Sequence, residues 1–210
     1  SGRRWFTPPG SALAFSLLLD LAPNFKPSLL GRASGLGALA ICEALETLYQ
    51  LSPQIKWPND VLLQGKKVSG VLPEAHWSGD RLQALILGIG INVAASSVPP
   101  DEALTFPASS VEEVIGKKVK PAELLRGVLK ALLEWKAQMD EPDFIQAWEQ
   151  RLAYKGQSIR LESGDGRIIE AELNGLGPDG SLKLLLPSGK LRAFQMGEIQ
   201  IRPLVDRPSK

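Results

Sequence analysis

Cysteine is almost missing from this chain. Its 210 residues contain one, Cys42, so an internal disulfide framework is excluded and a reducing, cytoplasmic setting is the natural reading. Cys42 sits in an apolar run and reads as a core residue. Histidine is equally scarce: His76 stands alone, without a Ser or Cys partner motif, and no Cys/His metal spacing occurs. His76 is expected at the surface. A glycine-rich P-loop with its lysine is lacking too. Charge of one sign is also lacking. Lys and Arg number 24 against 23 Asp and Glu, a net charge of +1, so no global field draws the chain towards nucleic acid and DNA binding is not evident from these residues. Any anionic ligand must be held locally. No apolar run approaches the ~18 uninterrupted residues of a membrane span, so no membrane partner is expected.

The length suits one sizeable core and a small second module. Ala12 to Leu19 is a nearly continuous apolar run of strand length, read as a buried strand. Between Ser28 and Leu51, Leu29, Ala33, Leu36, Ala40, Ala44 and Leu48 recur at steps of three and four, which predicts a helix with one apolar stripe. From Gln54 to Val93 the runs Ile55–Trp57, Val61–Leu63, Val68–Leu72 and Leu82–Val93 read as central strands. Ala94 to Ala108 is an aperiodic Ser/Pro-rich loop, a candidate lid. Pro121 and Pro142 are placed to open helices. Beyond Gly156 the turn signatures Gly164-Asp165-Gly166, Pro178-Asp179-Gly180 and Ser188-Gly189 punctuate a small β-meander. The domains are therefore expected at residues 1–154 and 155–210. Gly175 to Gly180 formally fits a dinucleotide-binding pattern, but a strand-like segment follows it where a helix is required, so it reads as a turn.

Lys56-Trp57-Pro58-Asn59-Asp60, followed by Gly65 to Gly70, is the most informative stretch. It sets side-chain oxygens beside a lysine at a strand end. A second lysine, Lys67, lies on the next strand, where Gly70 allows a ligand to approach. Such residues suit a polyphosphate and its Mg²⁺, with lysines as compact charges and Asp60 and Asn59 as hard oxygen donors. The same residues suit a charged hairpin turn, and spacing alone does not choose between the two.

Three segments, Lys56 to Asp60, Lys66 to Glu74 and Gly88-Ile89-Gly90-Ile91-Asn92-Val93, resemble the motifs of biotin protein ligases in content and order. Gly2-Arg3-Arg4-Trp5-Phe6 resembles the end of that family's Gly-Arg-Gly-Arg biotin loop. The resemblance runs from Ser1 to about Leu204. It implies an α+β fold: a mixed β-sheet flanked by helices, the class II synthetase-like biotin/lipoate ligase catalytic fold, with a small C-terminal SH3-like β-barrel. The activity it implies is activation of biotin by ATP to biotinyl-5′-AMP, then transfer to a lysine of the biotin carboxyl carrier protein or domain of acetyl-CoA carboxylase or a related carboxylase.

Position by position, Lys67 matches the catalytic lysine near the biotin carboxyl and α-phosphate, with Lys56 as its catalytic companion. Gly70, Gly2 and Arg3 join Lys67 on the biotin side. Trp5, Lys56, Asn59, Asp60, Gly88, Gly90 and Asn92 match the ATP side, and Asp60 is the Mg²⁺ candidate. The resemblance also implies that the family's catalytic domain begins upstream of Ser1, so that the given chain holds half of the biotin site. Homodimerisation is compatible with this reading. Two rivals remain: a lipoate ligase or octanoyl transferase of the same fold, and a non-catalytic binding module built on the C-terminal barrel.

Overall fold

The computed structural model describes residues 7–19, 25–100, 104, 106–163, 168–196 and 199–203. Four strands follow one another as a meander: β2 (Gln54–Lys56), β3 (Asp60–Leu63), β4 (Lys66–Ser78) and β5 (Arg81–Asn92). The strand β1 (Ala12–Leu19) pairs with the far side of β5, giving the order β1-β5-β4-β3-β2. Every pair is antiparallel, so the expected mixed sheet is corrected among the described residues. Within the β2–β5 meander the links are too short for anything else, because parallel neighbours need a crossover of a dozen residues or so. The β3–β4 link is Gln64-Gly65, both at positive φ (51° and 75°), the conformation of a tight hairpin turn. Nor is β1 a buried strand. It alternates between partly covered and exposed residues, with Leu18 71% exposed, because only one of its faces meets the core.

The predicted helix exists, but its single stripe does not. A 3-10 segment (Pro27–Arg32) leads into α1 (Ala33–Tyr49), whose residues from Ala33 to Cys42 are all buried. The sheet covers one side of α1, while α3 (Pro121–Ala137) and α4 (Pro142–Gln150) cover the other. Small residues permit this. A Cβ on Gly35 would lie 2.3 Å from Cε3 of Trp148, and one on Gly37 would lie 2.7 Å from Cγ1 of Val71. By length and composition Pro27–Tyr49 is apolar enough to cross a bilayer, yet most of it is buried within the protein, as befits a core helix. Cys42 lies in the same core, where burial pushes its thiol far above the ordinary range.

Both proline-initiated helices appear where expected, with proline in the first turn. A short helix, α2 (Val111–Ile115), was not anticipated. Its start was legible, because Ser110 and Glu113 form a reciprocal capping box with the Ser-x-x-Glu spacing.

The remaining strands are β6 (Ser158–Ser163), β7 (Ile168–Leu176), β8 (Leu182–Leu185), β9 (Leu191–Phe194) and β10 (Ile199–Pro203). They form a second antiparallel sheet in the order β10-β6-β7-β8-β9. Gly175 to Gly180 leads out of β7 into the β7–β8 turn, as the following strand-like segment required. The Gly164-Asp165-Gly166 signature lies outside the described residues. The inward residues of this sheet, among them Leu161, Leu173, Leu184 and Phe194, join the same hydrophobic cluster as α1 and the first sheet. His76 is exposed, as expected.

One polar contact binds the second sheet to α4, and another ties α4 to the segment leading into β6. Glu149 accepts a hydrogen bond from the Leu176 amide at 3.0 Å and pairs with Lys155. Burial pushes its carboxyl up, but the Lys155 ammonium and the Leu176 N–H outweigh that and leave it below its ordinary 4.5. Asp179 behaves alike: burial raises it, while the Ser181 hydroxyl and Gln195 amide bring it below its ordinary 3.8.

A carboxyl held below its unfolded value stabilises the fold above that value and loses its contribution as pH falls through the folded one. Chemical-denaturation midpoints are therefore expected to fall as pH drops below about 4, and Glu149→Gln to make that acid limb shallower. Gly35→Ala tests the helix packing: helix propensity alone would favour Ala by ~1 kcal/mol, whereas the clash with the Trp148 ring is expected to cost about 1–3 kcal/mol. A gain in melting temperature would contradict the packing argument.

Candidate active site

The β2–β3 connection is Trp57-Pro58-Asn59, with a cis Trp57–Pro58 bond. Ile55 and Trp57 are buried on the core side, and the intervening Lys56 projects to the other face. Asp60 opens β3 on that face. Its carboxylate lies between two ammonium groups: Lys67 Nζ bonds Oδ1, and Lys56 Nζ stands 3.6 Å from Oδ2. All three side chains are largely covered, which strengthens their attraction over that of a surface pair. The Lys56 ammonium also lies 4.9 Å from the centroid of the Phe106 ring. Asn59 pins the turn to the neighbouring strand. Its Nδ2 donates to Val71 O at 2.7 Å, and its own carbonyl accepts the Val71 amide at 2.9 Å.

A β-bulge aims Lys67. Positions 67 and 70 would fall on opposite faces of a regular strand, since their separation is odd. In the structure Ser69 opposes Val61 and Lys67 opposes Leu62, so Val68 is the extra residue. That shift returns Lys67 to the face of Leu62, Asp60 and Gly70. Its backbone is held as well: the Lys67 amide donates to Pro107 O at 2.8 Å, and the Ser109 amide donates to Lys67 O at 3.0 Å. The candidate lid thus ends in a clamp on Lys67. It begins with a 3-10 turn at Ala95–Ser97, while residues 101–103 and 105 lie outside the described set.

Three of the singled-out glycines share this face. Gly70 opposes Asp60 on one side and Gly90 on the other, and Gly90 opposes Ala14. In the next row Leu72 opposes Gly88, which opposes Ser16. The sequence reading divides these glycines between two ligands, whereas the register joins them into one low floor beside Lys67. Packing does not force glycine at 88. The nearest atom a Cβ would meet is Leu72 O at an ordinary 3.5 Å.

Asn92, at the end of β5, is buried, and its Nδ2 donates to Ser109 O at 3.1 Å. Its amide group therefore holds the clamp behind Lys67. Ser109, Ser110 and Glu113 complete this strut: Glu113 Oε2 accepts from the Ser109 hydroxyl at 3.2 Å and from the Ser110 amide at 2.9 Å. These residues went unnoticed in the sequence, although the capping-box spacing was there to be read. Gly2, Arg3, Arg4 and Trp5 lie outside the described residues.

Among the described residues no cluster of three His, Cys, Asp or Glu side chains could cage a metal. A single carboxylate, Asp60, suits Mg²⁺ only in the way nucleotide sites use it, with phosphate oxygens and water completing the shell. The arrangement as a whole offers two cations, one carboxylate and a flat glycine floor, which suits an anionic ligand lying across strands.

The sequence pattern of the "Biotin/lipoate A/B protein ligase family" matches residues 1–92. A biotin–[acetyl-CoA-carboxylase] ligase from Paracoccus denitrificans is 34% identical over 90% of this chain and 80% of its own length. The bifunctional ligase/repressor BirA of Escherichia coli K12 is 29% identical over 96% of this chain, which spans 62% of that protein. In structure, the biotin protein ligase of Aquifex aeolicus in complex with biotin and ATP superimposes with a TM-score of 0.77 at 34% identity, covering 92% of this chain and 79% of that one. With so similar a relative matched over most of its length, and with the same fold beneath it, the chain belongs to the biotin protein ligases of the biotin/lipoate A/B protein ligase family.

Proposed function

We propose that this chain carries the activity named for its relatives: ATP-dependent activation of biotin and its attachment to a lysine of a carboxylase's biotin-carrier domain. The observation that carries the reading is the Lys56–Asp60–Lys67 cluster at the edge of the Gly70–Gly90 floor. In the first step a biotin carboxylate oxygen bonds the α-phosphorus of ATP and pyrophosphate leaves. In the second, the carrier lysine's amine bonds the acyl carbon, AMP leaves, and the amine gives up a proton.

Two anions must meet in the first step, and their repulsion is the barrier the protein has to lower. Lys67 stands where the floor meets the cluster, and its ammonium neutralises the approaching carboxylate and α-phosphate. Lys56 supplies the second positive charge on the nucleotide side. Asp60 keeps both lysines oriented until the ligand arrives, and Asn59 fixes the turn that carries them. Gly70, Gly88 and Gly90 let the ligand lie against backbone. Mg²⁺ travelling with ATP would find Asp60 as its protein oxygen, and would screen phosphate charge there.

Trp5 as the adenine platform, and Gly2 and Arg3 as the biotin-loop end, complete this reading of the N-terminal segment. The domain division is read as 1–154 for catalysis and 155–210 for an SH3-like second module. A cytoplasmic protein, able to form homodimers, fits the same picture.

The test is ATP-dependent label transfer to a biotin-carrier domain, with lipoate offered in parallel. Lys67→Ala is expected to lower turnover about 10²–10³-fold, the effect of removing one preorganised charge donor. Undiminished transfer by that variant, or preference for lipoate, would refute the assignment. Gly88→Ala separates site from scaffold. Its melting temperature is expected to hold, because the new methyl meets only ordinary contacts, while KM for biotin rises about tenfold as the floor is obstructed.

A further inference from the structure

We propose that the β7–β8 turn of the C-terminal sheet is a positioning element for the Lys56–Asp60 cluster, acting through Trp57. This rests on the ligase reading and assigns the second sheet a part in the first chemical step. Trp57 is flanked in the chain by Lys56 on one side and Pro58-Asn59 on the other, and it is 2% exposed. Its indole N–H donates to the Gly180 carbonyl at 2.9 Å, a contact between residues 123 positions apart. The indole is thus the buried root of a loop whose charged residues emerge on the opposite face.

The acceptor lies in a turn held from several sides. Arg32, itself buried, donates from Nε to Pro178 O at 2.7 Å and from Nη1 to Met139 O at 2.6 Å. Gly31 passes so close that a Cβ there would stand 2.3 Å from Asp179 O. Within the turn, Asp179 accepts from the Ser181 amide at 3.1 Å and from Gln195 Nε2 at 2.8 Å. Gly180 has φ +83°, and a Cβ on it would meet Gly31 O at 2.8 Å and Trp148 Cζ3 at 3.0 Å. That combination of left-handed backbone and closed space admits only glycine. Gly180 is therefore packed between the 3-10 segment before α1 and the ring of Trp148, which hold the turn in place.

A shift of the Trp57 ring has one short route outward. It passes through adjacent peptides to Lys56 and to Asn59, the two neighbours that the ligase reading places on the nucleotide side. Displacements of about 1 Å at a reacting centre are enough to cost orders of magnitude in rate. The Trp57–Gly180 bond supports the charge cluster from its buried side, so Trp57 is a positioning residue and the turn is its anchor.

The experiment is biotin-dependent exchange of pyrophosphate into ATP by the whole chain and by Trp57→Phe, which keeps a ring and removes the N–H. A folded variant is expected to show KM for ATP raised about tenfold with KM for biotin within twofold of the parent. A role in stability alone would lower the active fraction and leave both KM values unchanged, and that result overturns the proposal. Hydrogen exchange on the unaltered chain supplies an independent reading should Trp57→Phe not fold. Adding ATP and biotin is expected to slow amide exchange at Gly177, Gly180 and Ser181, and exchange there that ignores both ligands overturns the proposal equally. An unaltered chain with no biotin-dependent exchange activity would sink the ligase reading and this coupling with it, whereas an active chain with an indifferent Trp57→Phe sinks only the coupling.

Discussion

The close packing of α1 is the constraint from which the rest of the architecture follows. A helix buried on every side from Ala33 to Cys42 needs small residues where its neighbours press, and Gly35 and Gly37 stand where the Trp148 ring and the Val71 side chain approach. With α1 filling one face of the first sheet, the other face is left for chemistry. The helix also gathers α3, α4 and the second sheet into one continuous hydrophobic cluster. Mechanical continuity across the chain is therefore a property of the core itself.

On the open face the electrostatics are arranged with restraint. Two ammonium groups placed close together would repel, and a single carboxylate between them removes most of that cost while leaving an excess of positive charge. The cluster is organised before any ligand arrives. An incoming phosphate or carboxylate then exchanges one anionic partner for another, with little rearrangement of the surrounding backbone.

Much of this was legible in the sequence, and the failures share a cause. Local signals held: Pro121 and Pro142 opened helices, Pro178-Asp179-Gly180 made a turn, and Lys56, Asp60 and Lys67 met as their motifs implied. What escaped depends on neighbours distant in the chain. The stripe seen along α1 was a strip of a helix buried all round, because α3 and α4 cover the side that periodicity leaves to solvent. The strand from Ala12 to Leu19 looked buried by composition, but it has a single covered face. Asn92 was read for a ligand contact, and the bond from its amide nitrogen to Ser109, 17 residues on, was not foreseen. No linear pattern announces that Gly180 receives the indole of Trp57, since the two lie in different sheets.

The bulge at Val68 has a consequence for how this region tolerates change in length. Lys67 reaches the open face because one residue is looped out of register between Ser69 and the hairpin. Removing that residue would bring Lys67 and Gly70 to an even separation, so a regular strand would still carry the lysine on the open face, and what would be lost is the local bend that the bulge puts into β4. In this hairpin a deletion at the bulge acts on the curvature of the strand, whereas a substitution acts on one side chain, so the two belong to different classes of damage.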